Sequence, residues 1–197
     1  MAKLVNWVDF HRKLSKVPIF GAINVQRVFG VTKQTAALAL QRYTKRGLVD
    51  RLRKGMYCLS GVSLPSTYIA NRLYEPSYVS LEFALSYHGV IPETVYTITS
   101  VTPKANRKFK AQGKIFSYRR LKSSVFTGYK IVKQGGLSFY IADAEKAFVD
   151  LTYLRMRAGA KPISRFNKEK LNPDKALRYA RLFTSNKLFA IIKTTLR

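Results

Sequence analysis

Gly30-Val31-Thr32-Lys33-Gln34-Thr35-Ala36-Ala37-Leu38-Ala39-Leu40-Gln41-Arg42-Tyr43-Thr44-Lys45-Arg46-Gly47 runs directly into Leu48-Val49-Asp50-Arg51-Leu52-Arg53-Lys54-Gly55-Met56-Tyr57-Cys58-Leu59-Ser60. The first part reads as a helix and the second as a tight two-stranded ribbon. Thr32 is placed to cap the helix, its hydroxyl accepting one of the orphan backbone N–H groups of the first turn. Gly47 sits where a helix end wants a left-handed residue, and Lys45 and Arg46 suit the negative end of the helix dipole. The ribbon turns at Arg53-Lys54-Gly55, because glycine supplies the positive φ of hairpin turns. A helix closed by glycine and followed at once by a basic hairpin has the outline of a winged helix-turn-helix.

At about 100° per residue, Ala36, Leu40, Tyr43 and Gly47 share one side of the helix, and Gln34, Leu38, Gln41 and Lys45 share the other. The first side suits a domain core and the second projects outward. Gln can pair in a bidentate way with the N6/N7 edge of adenine, and an exposed Leu can touch a thymine methyl. Lys33, Arg42 and Lys45 are expected to reach phosphates beside the groove. The expected DNA-contacting set is therefore Thr32, Lys33, Gln34, Thr35, Leu38, Gln41, Arg42 and Lys45, with Arg53 and Lys54 at the ribbon turn.

The rest of the composition agrees with a polyanion partner. The chain has 36 Lys plus Arg against 10 Asp plus Glu, a net charge of +26 over 197 residues. Such an imbalance favours DNA, RNA or an anionic surface. Both halves share it: residues 1–61 carry 12 basic and 2 acidic side chains, residues 62–197 carry 24 and 8. At 47% hydrophobic residues the chain can still build a core. A single cysteine, Cys58, rules out an internal disulfide and fits a reducing cytoplasm. Its alternation with Tyr57 and Leu59 reads as a small buried residue. No apolar run reaches the ~20 residues of a membrane span, and no secretory signal is recognisable, so no membrane partner is expected.

Upstream, residues 4–15 read as a helix with Leu4, Val8, His11 and Leu14 on one face and Trp7 beside them. Lys16-Val17-Pro18 breaks it. Residues 22–29 form a second short helix. The first domain, 1–62, is then complete, and a second, 63–197, follows the connector around Val62–Ser66. A helix is expected around Thr67–Leu73, and another capped by Ser80 and closed by Gly89, with Leu81, Ala84, Leu85 and His88 on one face. From Thr94 to Ala142 there is no acidic residue. Strand-like runs at Val95–Val101, Lys114–Leu121, Gly128–Lys133 and Leu137–Ala142 predict a small, basic antiparallel sheet, with a hairpin at Gly135-Gly136. Asp143 caps a helix to about Ala158 whose buried face is Ala147, Leu151, Leu154 and Ala158. Asn172-Pro173 and Ser185 open two terminal helices. The fold class is α+β: a winged helix-turn-helix domain, then an α/β domain with a basic sheet and terminal helices.

Three runs resemble the AbiEi family, the antitoxins of type IV toxin–antitoxin systems, also described as transcriptional regulators of viral defence. They are Gly30–Leu48 with Arg53-Lys54-Gly55-Met56-Tyr57, Pro76-Ser77-Tyr78-Val79-Ser80-Leu81-Glu82-Phe83-Ala84-Leu85-Ser86-Tyr87-His88-Gly89-Val90-Ile91-Pro92-Glu93, and Tyr140-Ile141-Ala142-Asp143-Ala144-Glu145-Lys146-Ala147-Phe148-Val149-Asp150-Leu151. The first run is shared by many winged helices; the second is more specific. The likeness covers residues 20–155. Ala144 stands where the family is expected to carry Pro, and the last 40 residues agree only in being helical. The resemblance implies a repressor that binds operator DNA at its own toxin–antitoxin operon. It also implies a C-terminal antitoxin domain that opposes a nucleotidyltransferase-like toxin without a stable complex.

Two other classes compete on the residues. Phe116, Tyr118, Tyr129 and Tyr140 interleave with cations, and such aromatics can stack bases of single-stranded RNA. That reading needs all four exposed on one face. A nuclease needs convergent carboxylates, and the candidates are Glu82, Asp143, Glu145 and Asp150. Asp143 is better read as a cap, Glu145 as a first-turn acid and Asp150 as the i, i+4 partner of Lys146. Two histidines and one cysteine make a zinc site unsuited, and no phosphate-binding Gly loop with GK[ST] occurs. No metal, cofactor or catalytic residue is expected.

Overall fold

Phe10 sits at the centre of the first unit. In the computed structural model, which describes residues 5–196, its ring lies against Trp7, Phe20, Phe29 and Tyr43, with centroids 4.9–6.1 Å away. Three helices supply this cluster, α1 (Trp7–Leu14), α2 (Ala22–Phe29) and α3 (Lys33–Lys45), with Phe20 coming from the α1–α2 connection. The aromatic cluster rotates α1 away from the expected face. Phe10 and Leu14 are buried, whereas Val8 and His11 face solvent; Leu4 lies outside the described residues. The α2–α3 connection follows local chemistry. Gly30 ends α2 at φ +63°, and Thr32 then caps α3, its hydroxyl accepting from Thr35 N–H at 3.2 Å. At the other end Leu48 N–H donates to Tyr43 C=O and Gly47 N–H to Thr44 C=O, both 3.0 Å, with Gly47 at φ +68°. This paired closure is the Schellman geometry that a glycine at this place favours.

Strands β1 (Val49–Arg53) and β2 (Met56–Leu59) pair antiparallel from Val49↔Leu59 to Arg53↔Met56, with an irregularity between Arg51 and Arg53. Gly55 turns the hairpin at φ +80°. Phe20, between α1 and α2, joins the hairpin edge: its N–H and C=O exchange two 2.8 Å hydrogen bonds with Tyr57. The first unit comprises Met1–Leu64 together with Lys110–Gly113; the second comprises Pro65–Phe109 and Lys114–Arg197. The division thus falls two residues beyond the sequence boundary at 62/63.

The second unit is built on a six-stranded sheet: β3 (Tyr78–Val79), β4 (Ile98–Thr102), β5 (Arg107–Ala111), β6 (Lys114–Arg120), β7 (Tyr129–Gln134) and β8 (Leu137–Ala142). Its order is β5-β6-β4-β3-β8-β7. The expected all-antiparallel sheet is corrected to a mixed one. β4 runs parallel to β6 and β3 parallel to β8, while β3–β4 and β7–β8 are antiparallel. β5 lies beyond β6, so the chain returns to place β6 beside β4 in the same direction. β3, only two residues long, is too short to carry an alternation, yet it occupies the middle of the sheet.

Helix α4 (Ser66–Leu73) covers one face of the sheet, and Tyr118 on β6 donates its hydroxyl to Ala70 C=O at 2.5 Å. Helices α5 (Leu81–Tyr87) and α6 (Ala144–Arg157) pack on each other, α5 against β4, and α7 (Pro173–Leu182) and α8 (Asn186–Thr195) follow. The caps read from sequence form: Asp143, Asn172 and Ser185 each accept from the backbone N–H three residues on. Ser80 does not cap α5 through its side chain; its hydroxyl donates to Asp150 instead.

The first half of α6 is buried on every side, polar residues included. Lys146 and Asp150 form an ion pair with both side chains fully enclosed. Asp150 Oδ2 also accepts from Tyr78 and Ser80 hydroxyls at 3.0 Å each, and Lys146 Nζ donates to the Tyr78 oxygen at 3.0 Å. Burial raises the Asp150 carboxyl above its ordinary range against the pull of Lys146, and burial with the neighbouring Asp150 charge raises the Tyr78 phenol.

α7 is docked on the start of α6 by a second polar cluster. Lys175 Nζ reaches Asp143 Oδ2 at 2.9 Å and Glu145 Oε2 at 3.0 Å, and Tyr179 donates to Asp143 Oδ2 at 2.7 Å. Burial, with the Asp143 bond next, pushes the Tyr179 phenol to about 12. Lys175 is lowered by burial but raised overall by its two carboxylate bonds. Both groups are raised in the folded chain. Their stabilisation is therefore complete below their unfolded values near 10 and is lost as pH climbs through about 12 for Tyr179. The melting-temperature advantage of the wild type over Tyr179→Phe is expected to shrink between about pH 9 and 12; thermal scans across that range check it, and a constant gap would remove Tyr179 from the linkage.

Candidate nucleic-acid interface

The outward side of α3 is laid down by the same periodicity that buries Ala36, Leu40 and Tyr43. Gln34, Leu38, Gln41 and Lys45 are all exposed, Leu38 at 58% of its accessible surface, and Lys33 stands exposed beside them. A leucine this open, between two glutamines on a helix, buries little of its apolar surface. Thr32 and Thr35 lie at the helix start, and their hydroxyls are 3.0 Å apart. Gly47 is exposed and takes no part in the core.

Arg42 departs from the expected set. Its guanidinium donates to Val5 C=O at 2.8 Å and to the Tyr43 hydroxyl at 3.2 Å, and it lies over the Tyr43 ring at 4.9 Å. Tyr43 itself donates to Val5 C=O at 2.6 Å. Arg42 thus ties α3 to the segment before α1, and among the described residues its buried Nε meets no hydrogen-bond partner. Its place on the boundary between core and outer face, one residue from Tyr43, explains the turn inward.

Arg53 and Lys54 are exposed at the hairpin turn, with Arg53 Nε 2.8 Å from Met56 Sδ. Two further cations belong with them. Arg51 is exposed on β1, two residues from Arg53, and Arg46 is exposed at the end of α3. The i, i+2 spacing of Arg51 and Arg53 is the sequence signal that points to the first. Among the described residues none of Lys33, Lys45, Arg46, Arg51, Arg53 and Lys54 pairs with a carboxylate. The acids of this unit are engaged elsewhere: Asp9 with Arg12, and Asp50 accepting from Ser60. The region is a cationic surface with a polar strip along α3.

Cys58 is buried, and burial with the nearby Asp50 charge raises its thiol to about 11, so thiolate chemistry is suppressed. The aromatic stacking face that the RNA reading requires does not form. Phe116 and Tyr118 are buried, because alternation along β6 turns both toward α4. Tyr129 and Tyr140 are open, with ring centroids 5.6 Å apart. Of the carboxylates considered for catalysis, Asp143 and Glu145 meet on the Lys175 ammonium and Asp150 is held by Lys146. His88 Nε2 lies 2.8 Å from Ala142 C=O. Among the described residues no group of three His, Cys, Asp or Glu side chains could hold a metal ion, and no helix is long and apolar enough to cross a membrane. Neither a protein-family model nor a curated protein matches the sequence.

Proposed function

We propose that the first unit is a winged helix-turn-helix that binds duplex DNA, with α2 and α3 as the helix pair, α3 as the reading helix and the β1–β2 hairpin as the wing. The observation that carries this reading is the exposed strip Gln34–Leu38–Gln41–Lys45 beside an unpaired basic hairpin. Gln and Leu offer base-edge contacts, and the flanking cations offer phosphate contacts. With the AbiEi resemblance, the chain is a cytoplasmic repressor of its own toxin–antitoxin operon. Its second unit acts as the antitoxin to a nucleotidyltransferase-like toxin, without a stable complex. The RNA reading loses support once Phe116 and Tyr118 are inside.

Binding to the DNA just upstream of the gene, compared with a shuffled duplex at low and near-physiological salt, tests the reading. A preference that persists at the higher salt supports a specific repressor; equal, salt-sensitive binding to both leaves only the affinity of a +26 chain for polyanions. The wing has its own expected result. Arg53→Ala or Lys54→Ala weakens binding to every duplex and reduces the salt slope by about 1 for each phosphate left without its cation. A slope unchanged in both variants takes the wing off the DNA.

A further inference from the structure

Residues Leu151, Leu154 and Ala158 share a face of α6 at spacings that suit a core. Only Leu151 is buried; Leu154 is half-buried and Ala158 open. The reason is a cleft. The second half of α6 stands away from β6 and leaves two adjacent cavities of about 530 and 380 Å³, which share Arg119, Leu154 and Ala158. Alternation along β6 supplies the floor: Phe116 and Tyr118 turn toward α4, so Ile115, Ser117 and Arg119 line the cleft. Ile115 is 47% exposed there.

The two ends differ in chemistry. At one end Arg119, Arg120, Lys122 and Arg157 are exposed and gathered around the larger cavity. Among the described residues none of the four pairs with a carboxylate. At the other end Ile115 and Leu154 are the open apolar side chains, above the buried Leu81 and Leu151, and Glu82, Lys108 and Arg155 stand around them. Four like charges at one mouth repel one another, and Ile115 and Leu154 forgo burial they could have had. The backbone carries a third mark. Leu81 adopts φ +60°, a left-handed conformation costly for a leucine, and it is held there while buried. Thr99 fixes that turn, donating to Ser80 C=O at 2.7 Å and accepting from Phe83 N–H at 3.1 Å. Strained, over-determined residues of this kind cluster at ligand sites.

We propose that this cleft binds a nucleoside polyphosphate. The phosphates lie among Arg119, Arg120, Lys122 and Arg157, where guanidinium forks match phosphate oxygens. The base lies on Ile115 and Leu154, and Glu82 accepts from the ribose hydroxyls. The volume is of the size that small-molecule sites have. Four cations gather at the larger cavity against Lys108 and Arg155 at the smaller one, so the charge is concentrated where a polyphosphate would lie. This site is separate from the α3 surface and does not depend on the DNA reading.

The test is calorimetric titration of the full chain at near-physiological salt with ATP, CTP, GTP and UTP, with inorganic triphosphate and with a short single strand of DNA. At least one nucleotide is expected to bind, and inorganic triphosphate at least about tenfold more weakly. Arg119→Ala is expected to weaken the nucleotide by about tenfold and Ile115→Ser by about fivefold. Lys130→Ala, on β7, removes the same charge away from the cleft and is expected to change nothing. The proposal is overturned if no nucleotide binds, if triphosphate alone binds as well, if Lys130→Ala loses as much as Arg119→Ala, or if only the single strand binds. Unchanged melting temperatures identify the variants as folded; should Ile115→Ser melt early, Arg119→Ala against Lys130→Ala decides.

Discussion

Asp150→Ala is expected to lower the unfolding free energy by about 3–5 kcal/mol, the range found when one partner of a buried ion pair is removed. Three groups depend on that carboxylate: the Lys146 ammonium and the hydroxyls of Tyr78 and Ser80, all within a region closed to solvent. Alanine leaves the ammonium enclosed with no counter-charge and leaves two hydroxyls short of an acceptor. Most of the loss is thus the penalty of stranded groups, not the worth of the pair itself. The same reasoning fixes the double variant. Lys146→Met with Asp150→Leu removes both charges, and it is expected to be less destabilised than Asp150→Ala alone. Urea unfolding of the three proteins measures both statements. A loss below about 1 kcal/mol for Asp150→Ala would mean that water reaches Lys146.

On the proposed DNA reading, Gln34→Ala and Gln41→Ala are expected to cost about 1–3 kcal/mol each on the operator, roughly a 5- to 150-fold rise in Kd. Each loss should vanish on an operator already changed at the base pair that the residue reads. Both side chains are exposed and caps lie elsewhere, so the melting temperature should stay within experimental scatter of the wild type. The measurement is a binding matrix of the two variants against single base-pair substitutions. If both variants lose equally on every duplex, the glutamines contribute to general affinity and the reading helix must be assigned again.

What is legible in the sequence is local. Thr32, Asp143, Asn172 and Ser185 cap helices through an oxygen that reaches a backbone N–H three residues away, and Gly47 and Gly55 take the positive φ that their turns require. Such features are complete within a few residues of sequence. What escapes is decided across the chain. Arg42 is drawn inward by Val5, thirty-seven residues away, so its helical position alone does not assign it to the outer face. α1 turns because Phe10 collects four aromatic neighbours, three of them from other elements. β3 shows no alternation in two residues, and the parallel pairing of β4 with β6 depends on where β5 lies. On α6 the spacing of Leu154 and Ala158 reads as a buried face, yet Leu154 is only half-buried and Ala158 is exposed, because spacing does not say whether anything is packed against it.

The two hydrogen bonds between Phe20 and Tyr57 give the hairpin a hinge that is closed before any encounter. Gly21 reinforces it, since a β-carbon there would lie 2.6 Å from the Gly55 carbonyl oxygen. The turn end of the hairpin is therefore tied to the start of α2, and its separation from α3 is set within the first unit. A caliper with fixed jaws loses little conformational entropy on closing around its object. On the proposed DNA reading, affinity is then governed by how well a duplex matches the gap between hairpin and α3, and a duplex of different local geometry is rejected by its own stiffness.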